Sequence, residues 1–584
     1  MDYKILMQLW AILDRKQRRR AANLLILMLV AMTLESLSIG VIFPIVDFAL
    51  SPIRDKDNNI PGVSLIIDSI GQKDTVFLGL GILVLLFFIK GLALALVYFR
   101  QTKFAFELTY DLSTKLFEVY LSQPWSFHLK RNSAQLTRNL TSETTLFTNV
   151  VLAITSVITE SLISMGIIVV MFALEPVGSA ILITTLSCSA ILFYLFFKSA
   201  LSRWGGERQI YEGERIKAIN HTLGAFKEIS ILGVEASFSE DYRNIAERSI
   251  RAQQRSSFVQ QLPRIWLEVM AVVAISFSAV VLTVMDKSLQ NIIATLGLYA
   301  AAAFRVIPSV SRILIASQVV RYHGAVVRTL WEEIRLSSLT NKIEHVTAEG
   351  KSNFSKIELE DIFYSYDGSG RPALQGVSVK IERGQTIGIV GQSGSGKSTL
   401  VDVLLGLLIP TSGRVALDGE TLLLSKVSRK KLFGYVPQNI YLIDDTLERN
   451  IAFGESEAEI DAVALARAVR MSNLQRVVDA LPAGLKTIVG ERGVKLSGGE
   501  RQRIGIARAL YTDPSILIFD EATSALDQEN ESLVMDAISS LRGEKTQVIV
   551  AHRVSTLSAC DLILVMENGK VACLKTYDDL VTEA

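Results

Sequence analysis

The sequence is poor in the residues that build disulfide frameworks and metal sites. Its 584 residues include three cysteines and five histidines. No two cysteines have the spacing of a zinc site, so we expect Cys188, Cys560 and Cys573 to be free thiols in apolar or reducing surroundings. Net charge is nearly absent as well, at +1, which gives no reason to expect nucleic-acid binding.

Apolar residues, by contrast, are abundant and make up 49% of the chain. A membrane-spanning helix needs about 20 mostly apolar residues. The first 320 residues or so contain six such stretches: 21–50, 75–99, 146–174, 177–197, 265–285 and 291–320. The sequence therefore predicts an all-α transmembrane domain of six helices over residues 1–343.

Basic residues predict the orientation of this domain. Five of them precede the first span: Arg15, Lys16, Arg18, Arg19 and Arg20. Under the positive-inside rule this end is cytoplasmic, and six crossings return the chain to the cytoplasm. In the first outside loop, 51–74, apolar residues at helical spacing predict an amphipathic surface helix, with a plain loop as the alternative.

The inside connections, 100–145 and 198–264, are too long for loops between packed helices. Their composition favours helices that continue from the spans into the cytoplasm. Each pair is expected to turn back in a short segment, within 122–133 and 226–238, where it can touch the cytoplasmic domain.

Charged residues interrupt the apolar stretches. Such residues are costly in a membrane and often functional, although interhelical ion pairs, for example with Arg305, are an equally open interpretation. They are Glu35, Asp47, Lys90, Glu160, Glu268, Arg305 and Arg312.

A phosphate-binding loop lies beyond an expected linker at 344–356. Residues 391–398 fit G-x-x-x-x-G-K-[ST], between an apolar β-branched strand and a helical segment. Backbone amides of such a loop close around phosphates, Lys397 reaches the β- and γ-phosphates, and Ser398 ligates Mg²⁺. The residues expected to bind the nucleotide here are Gly391, Ser393, Gly394, Ser395, Gly396, Lys397, Ser398 and Thr399.

Two carboxylates follow a second apolar strand, 516–519. Asp520 is expected to hold Mg²⁺, and Glu521 to polarise the attacking water. The sequence therefore predicts an α/β P-loop nucleotide-hydrolysing domain over residues 357–584.

Residues 496–503 (LSGGERQR) resemble the signature motif of ABC ATPases, and the order of the motifs is also that of this family. The resemblance implies that Tyr366 stacks on adenine. It implies that Gln438 is the Q-loop glutamine, which contacts Mg²⁺ and the catalytic site, and that His552 is the switch histidine. Residues 524–527 resemble the D-loop, and residues 489–493 the X-loop of exporters.

In this family the signature motif of one subunit completes the ATP site of the other. The resemblance therefore implies a dimer in which Ser497, Gly498 and Gly499 contact the partner's ATP. A homodimer is expected because both halves of each site are intact, and a heterodimer with a related chain is the alternative. ATP and Mg²⁺ are the implied ligands, and closure of the two cassettes on ATP would expose the membrane cavity outward.

An N-terminal six-span domain fused to one cassette resembles ABC exporters. Residues 34–44 (LESLSIGVIFP) are similar to the first span of bacterial lipid-linked oligosaccharide flippases of the PglK type, as is the outer loop. This implies an inner-membrane flippase for a polyprenyl-diphosphate oligosaccharide, with Lys90, Arg264 and Arg305 facing the diphosphate. The alternatives are a multidrug, lipid or hydrophobic-peptide exporter, or a non-transporting ABC sensor.

Overall fold

The computed structural model describes residues 3–50, 72–174, 176–284, 289–340, 354–366, 368, 370–422, 426–490, 493–522, 528–551 and 553–583. The chain forms two compact units. The first contains residues Met1–Gln123 and Lys130–Leu339, and the second contains Pro124–Leu129 and Thr340–Ala584. We call the first the bundle and the second the cassette.

The bundle is built from long helices joined by short ones. In chain order they are α1 (Tyr3–Ile12), α2 (Arg15–Leu50), α3 (Gln72–Ser122), α5 (Ser133–Arg138), a π-helical turn (Asn139–Glu143), α6 (Thr144–Leu174), α7 (Pro176–Gly224), α8 (Phe226–Leu232), α9 (Glu235–Val284) and α10 (Leu289–Thr340). Between α3 and α5 lies the short helix α4 (Trp125–Lys130), which belongs to the cassette except for Lys130.

Among the described residues, six helices are long and apolar enough to cross a membrane. The predicted helical extensions are present as well. Helix α3 has 51 residues, which is about 75 Å of helix and far more than the roughly 30 Å core of a bilayer requires. The predicted turn regions contain the short helices α4 and α8, and α8 ends at Gly233, whose φ of 65° provides a left-handed cap.

The bundle has its apolar side chains on both the inside and the outside. Phe196 is 75% exposed and Phe304 82% exposed, as suits a surface that faces lipid. Polar side chains join helices inside: Gln101 Nε2 on α3 donates to Thr159 Oγ1 on α6 at 2.6 Å. Such bonds hold transmembrane helices together where the hydrophobic effect cannot.

The cassette alternates strands with helices. Its strands are β1 (Lys356–Tyr364), β2 (Leu374–Glu382), β3 (Thr386–Gly391), β4 (Ser412–Leu417), β5 (Glu420–Thr421), β6 (Phe433–Val436), β7 (Ile516–Asp520), β8 (Thr546–Val550), β9 (Leu562–Glu567) and β10 (Lys570–Lys575). Its α-helices are α11 (Lys397–Leu404), α12 (Lys426–Leu432), α13 (Leu447–Ile451), α14 (Ala462–Met471), α15 (Gln475–Ala480), α16 (Gly498–Tyr511), α17 (Gln528–Ser539) and α18 (Tyr577–Glu583).

Two sheets organise the cassette. One has the order β2-β1-β4-β5 and is antiparallel, and the other has the order β10-β9-β3-β8-β7-β6. Strands β6, β7, β8, β3 and β9 run parallel. Their carboxyl ends therefore meet at one edge, which is where ligands bind in sheets of this kind. The predicted fold class, a helical membrane domain with an α/β P-loop domain, is confirmed.

The parallel strands are buried on both faces. Ile516–Phe519 of β7 are at most 1% exposed, and all of β8 is buried. Helix α11 packs against one face through Leu400, Val401 and Leu404. This packing fixes where β3 ends and α11 begins, and thereby the position of the loop between them.

Several predictions fall on residues outside the described ranges. They concern the amphipathic helix in 51–74, nearly all of the linker, the D-loop at 524–527, part of the X-loop and the switch histidine His552.

Candidate functional site

The phosphate-binding loop connects β3 to α11 at the carboxyl edge of the parallel sheet. Gly396 caps α11 with a left-handed φ of 100°, and a Cβ there would lie 2.6 Å from the Ala373 carbonyl oxygen. Only glycine fits such a position without strain. The eight-residue α11 directs its N-terminal amides into the loop, which is the arrangement that binds phosphate oxygens.

Lys397 and Ser395 are buried within this loop. Lys397 is 6% exposed, and its Nζ donates to the carbonyl oxygens of Gly391 at 2.8 Å and Gln392 at 3.1 Å. Ser395 is 4% exposed, and its hydroxyl has no hydrogen-bond partner among the described residues. Ser393, Gly394 and Ser398 are exposed. A buried ammonium and an unpartnered buried hydroxyl fit a triphosphate.

Tyr366 lies beside the loop, 38% exposed. Its hydroxyl is 3.2 Å from the Thr399 hydroxyl, and its ring makes an edge contact with Tyr364 at 5.0 Å between centroids. An aromatic face left partly open beside a phosphate loop can stack on a base.

The two acids predicted after β7 have different environments. Asp520 accepts a hydrogen bond from the Tyr435 hydroxyl at 3.1 Å. Burial and the charge of Asp520 raise the pKa of this tyrosine. Burial, with the Asp520 charge second, also raises the pKa of Asp402 on α11 to about 6, while Trp125 of the same compact unit donates a hydrogen bond to Asp402. This negative field suits a cation.

Glu521 is held in a strained backbone conformation. Its φ is 52°, a region that residues other than glycine seldom adopt and that is often found at functional sites. Its amide donates to the Val550 carbonyl oxygen at 3.0 Å. The Gln438 amide donates to Glu521 Oε2 at 2.6 Å. Two residues 83 positions apart in sequence are thus brought together, as a base and its orienting partner require.

The signature segment begins α16. Ser497 caps this helix: its hydroxyl accepts from the Glu500 amide at 3.3 Å, and its own amide donates to Glu500 Oε2 at 2.7 Å. Ser497 and Gly498 are exposed. In the described part of the chain, no hydrogen bond links Ser497–Gly499 to the phosphate loop. The segment is a second open helix N-terminus, suited to phosphate from another molecule.

A charged cluster joins three helices of the bundle. Lys90 Nζ on α3 lies 2.9 Å from Glu35 Oε2 on α2, and Arg305 on α10 pairs with the same carboxylate. Glu35 and Lys90 are 2% and 4% exposed. The interhelical ion pair considered for Arg305 therefore exists. Because two cations share one carboxylate, the cluster retains one positive charge among the described residues.

A second ion pair joins α10 to α6. Arg312 holds the buried Glu160 of α6 with two contacts, Nε to Oε1 at 2.6 Å and Nη2 to Oε2 at 3.2 Å. Arg264, the third residue expected to face the cargo, contacts neither carboxylate. It forms an exposed pair with Glu268 at 2.9 Å on its own helix, so the structure brings Lys90 and Arg305 together without it.

Comparison with known proteins supports this organisation. A family model described as ABC transporter matches residues 374–524, and one described as ABC transporter transmembrane region matches residues 62–304. The chain is 30% identical over 509 residues to a protein of Xanthomonas campestris pv. campestris (strain 8004) named ATP-dependent lipid A-core flippase. The alignment covers 85% of this chain and 84% of that protein. The chain belongs to the ABC transporter family.

This ABC transporter is thus a multi-pass membrane protein whose ATP hydrolysis is coupled to transport. A second relative, also named ATP-dependent lipid A-core flippase and from Cupriavidus pinatubonensis (strain JMP 134 / LMG 1197), is 28% identical over 485 residues, or 80% of this chain and 79% of that protein. The solved structure of a bacterial Atm1-family ABC exporter with ATP bound shares the fold, with a TM-score of 0.77, 22% identity, and 98% and 97% coverage of the two chains.

Sequence reasoning missed several residues of the transporter's site. No sequence motif assigns a role to Tyr435 or Asp402, or predicts the hydrogen bond that Trp125 donates to Asp402. Glu35 was recognised as a charge in a span but not as the shared partner of Lys90 and Arg305. No local pattern could have found these contacts, since each joins residues that are distant in sequence.

Proposed function

We propose that this ABC transporter is an ATP-driven flippase that moves a lipid-linked, polyprenyl-diphosphate oligosaccharide from the cytoplasmic to the outer leaflet. The observation that carries the proposal is the unbalanced cluster of Glu35, Lys90 and Arg305. A residual positive charge among apolar helices is costly by itself. An anionic diphosphate head group offsets that charge and accepts hydrogen bonds from both cations.

A second candidate cargo is a glycolipid of the lipid A-core type. The names of the relatives described above favour it, because those proteins are called lipid A-core flippases. Both cargoes combine a lipid with a large polar head group. Among the alternatives, a multidrug exporter that moves amphipathic cations gains nothing from a positively charged cluster.

In the cassette, each predicted residue receives a proposed role. Lys397 and the loop amides hold the phosphates, Tyr366 stacks on adenine, and Glu521 accepts the proton of the attacking water while Gln438 orients it. Mg²⁺, held by Ser398, Gln438 and Asp520, supplies charge neutralisation at the phosphates when bound. His552, as the switch histidine, takes part in hydrolysis at the γ-phosphate.

The working unit is proposed to be a homodimer, with a heterodimer as the alternative. Ser497, Gly498 and Gly499 of one chain complete the ATP site of the other, which agrees with the open helix N-terminus of α16. The proposed domains are a transmembrane domain at 1–343, a linker at 344–356 and a nucleotide-binding domain at 357–584. The N-terminus and the cassette lie on the cytoplasmic side of a bacterial inner membrane.

Reconstitution in proteoliposomes tests the cargo. We expect ATP-dependent flipping of a polyprenyl-diphosphate oligosaccharide, and a loss of about tenfold or more in Lys90→Ala and Arg305→Ala. Arg203→Ala is the matched control, because among the described residues Arg203 forms one ion pair, an exposed contact with Glu207 on its own helix at 3.9 Å. Unchanged flipping in both cluster variants would reject the role of the charged cluster. Flipping of a lipid A-core glycolipid alone would favour the second cargo.

A further inference from the structure

A large cavity in the bundle is lined mostly by hydroxyl and amide side chains. It has a volume of about 810 Å³ and lies between α3, the π-helical turn, α6, α7, α9 and α10. We call it the polar cavity, and the residues that matter here are Ser113, Thr141, Asn149, Gln253, Gln260 and His323. Most of its lining follows or precedes the predicted spans, on the cytoplasmic extensions.

The charged side chains around the polar cavity form ion pairs within the chain. Arg208 Nη2 lies 3.6 Å from Glu143 Oε1, and Arg215 Nη2 lies 2.7 Å from Glu212 Oε1. Arg138 Nε also lies 3.6 Å from Glu143 Oε1, so two cations share this carboxylate, as Lys90 and Arg305 share Glu35. Hydroxyl and amide side chains still make up most of the lining, and they favour a ligand with many hydroxyl groups.

Buried polar atoms remain unpartnered at this cavity. Tyr322 and Arg208, which both line it, are 3% and 7% exposed, and the Tyr322 hydroxyl and Arg208 Nε have no hydrogen-bond partner among the described residues. The same holds for His323 Nδ1. Buried polar groups without partners are costly, so a ligand or water that supplies hydrogen bonds is favoured here.

The wall of the polar cavity includes a π-helical turn, Asn139–Glu143, through Thr141. Single π-turns are rare and occur frequently at functional sites. Here the turn precedes α6, which begins at Thr144 and brings Asn149 to the cavity.

A second cavity adjoins the polar cavity and extends along α10 to Arg312. It has a volume of about 420 Å³ and shares Asn149, Gln260 and His323 with the polar cavity. Along α10 it is lined by Arg312, Ile315, Ala316, Val319 and His323, a spacing that follows one helix face. From Arg305 to His323 the helix rises by about 27 Å, a length that several linked sugar rings can span.

From these features we infer that the polar cavity binds the saccharide portion of the cargo while its diphosphate lies at the charged cluster. The inference rests on the proposed function and extends it to a second site. Amide and hydroxyl side chains both donate and accept, which matches the hydroxyl groups of a glycan. Arg312, which lies between Arg305 and His323 along α10, borders the second cavity.

Glycan length provides the first test. Full-length protein in proteoliposomes is given the same polyprenyl diphosphate with no sugar, one sugar or an oligosaccharide. In Gln253→Leu/Gln260→Leu, we expect flipping of the oligosaccharide lipid to fall about tenfold, as for two lost hydrogen bonds, and flipping of the sugar-free lipid to stay unchanged. Gln254→Leu is the matched control, since Gln254 is exposed on the same helix and does not line the polar cavity.

A binding measurement separates this inference from the proposed function. Ser257→Cys places a thiol in the lining, and Ser237→Cys places one on the same helix outside it. We expect the oligosaccharide lipid to slow alkylation of the first thiol by at least about threefold, read by peptide mass spectrometry, and the sugar-free lipid not to.

The outcomes are distinct. Equal loss of flipping for all three lipids in Gln253→Leu/Gln260→Leu, or no protection by the oligosaccharide lipid, would overturn the saccharide site and leave the flippase proposal standing. A wild-type protein that flips none of the lipids would overturn the proposed function. Protection of the Ser257→Cys thiol would then still support saccharide binding in the polar cavity.

Discussion

The cassette and the bundle hold their charged side chains in different ways. In the cassette, ionisable groups lie at the carboxyl edge of a parallel sheet, each fixed by a short segment next to it: Lys397 by its own loop and Glu521 by the end of β7. In the bundle, charges on three helices are held by one another, as in the cluster around Glu35. The residues of the proposed ATP site are thus positioned mainly by neighbouring segments, whereas the charged cluster of the bundle depends on contacts between helices.

The largest expected effect is on ATP hydrolysis and tests the cassette side of this comparison. Glu521→Gln keeps the shape of the side chain and its contact with Gln438 but removes the base. We expect ATP hydrolysis to fall between about 10²- and 10⁴-fold, as for a general base, with nucleotide binding retained. ATPase and equilibrium binding assays measure the two quantities, and Glu567→Gln, at the exposed end of β9, is the control. Near-normal turnover would remove Glu521 from its role.

Two phenylalanine substitutions compare a buried apolar side chain of the cassette with an exposed apolar side chain of the bundle. Phe519 of β7 is fully buried, whereas Phe196 of α7 is 75% exposed. Phe519→Ala should lower the free energy of unfolding by about 3–5 kcal/mol through lost packing and a cavity. Phe196→Ala should change it by less than about 0.5 kcal/mol. Calorimetry of the full chain in detergent compares them, and equal effects would contradict the assignment of Phe196 to the lipid-facing surface.

A substitution in the charged cluster of the bundle should have the next largest effect on stability. Glu35→Gln leaves Lys90 and Arg305 without their shared carboxylate, and breaking a buried pair in this way costs about 3 kcal/mol. Glu268→Gln breaks only the exposed pair with Arg264 and should cost at most about 1 kcal/mol. Thermal unfolding in lipid nanodiscs measures both. If the two variants were equally stable, Glu35 would not hold the helices together.

The smallest effect is a dependence on pH. Burial and the Asp520 charge raise the pKa of Asp402 to about 6, from about 3.8 in the unfolded chain. The folded chain therefore binds this proton more tightly, and its stability should fall as pH rises from about 4 to about 6 and then level off. Asp402→Asn should flatten this slope in nucleotide-free protein, measured by the unfolding midpoint. The exposed Asp444→Asn should not, and an unchanged slope in Asp402→Asn would place its origin elsewhere.

The features that can be predicted from the sequence differ between the bundle and the cassette. The six spans and their helical extensions were predictable, because a bilayer demands long apolar helices and short loops would not account for the inside connections. The phosphate loop and its flanking strand and helix were also predictable, because G-x-x-x-x-G-K-[ST] is a local solution to binding phosphate. The pairing of Lys90 with Glu35 was not, since nothing near either residue specifies a partner 55 positions away.

The sequence by itself determined the order of segments, the six apolar helices and the chemical types present in the phosphate-binding loop. These follow from periodicity, apolar length and short motifs, which are properties of neighbouring residues. The tertiary structure alone decided that Gln438 reaches Glu521, that one carboxylate serves both Lys90 and Arg305, and that hydroxyl side chains from several helices enclose one cavity. Such contacts depend on how whole helices and strands pack, and packing is set by the sum of many distant side chains.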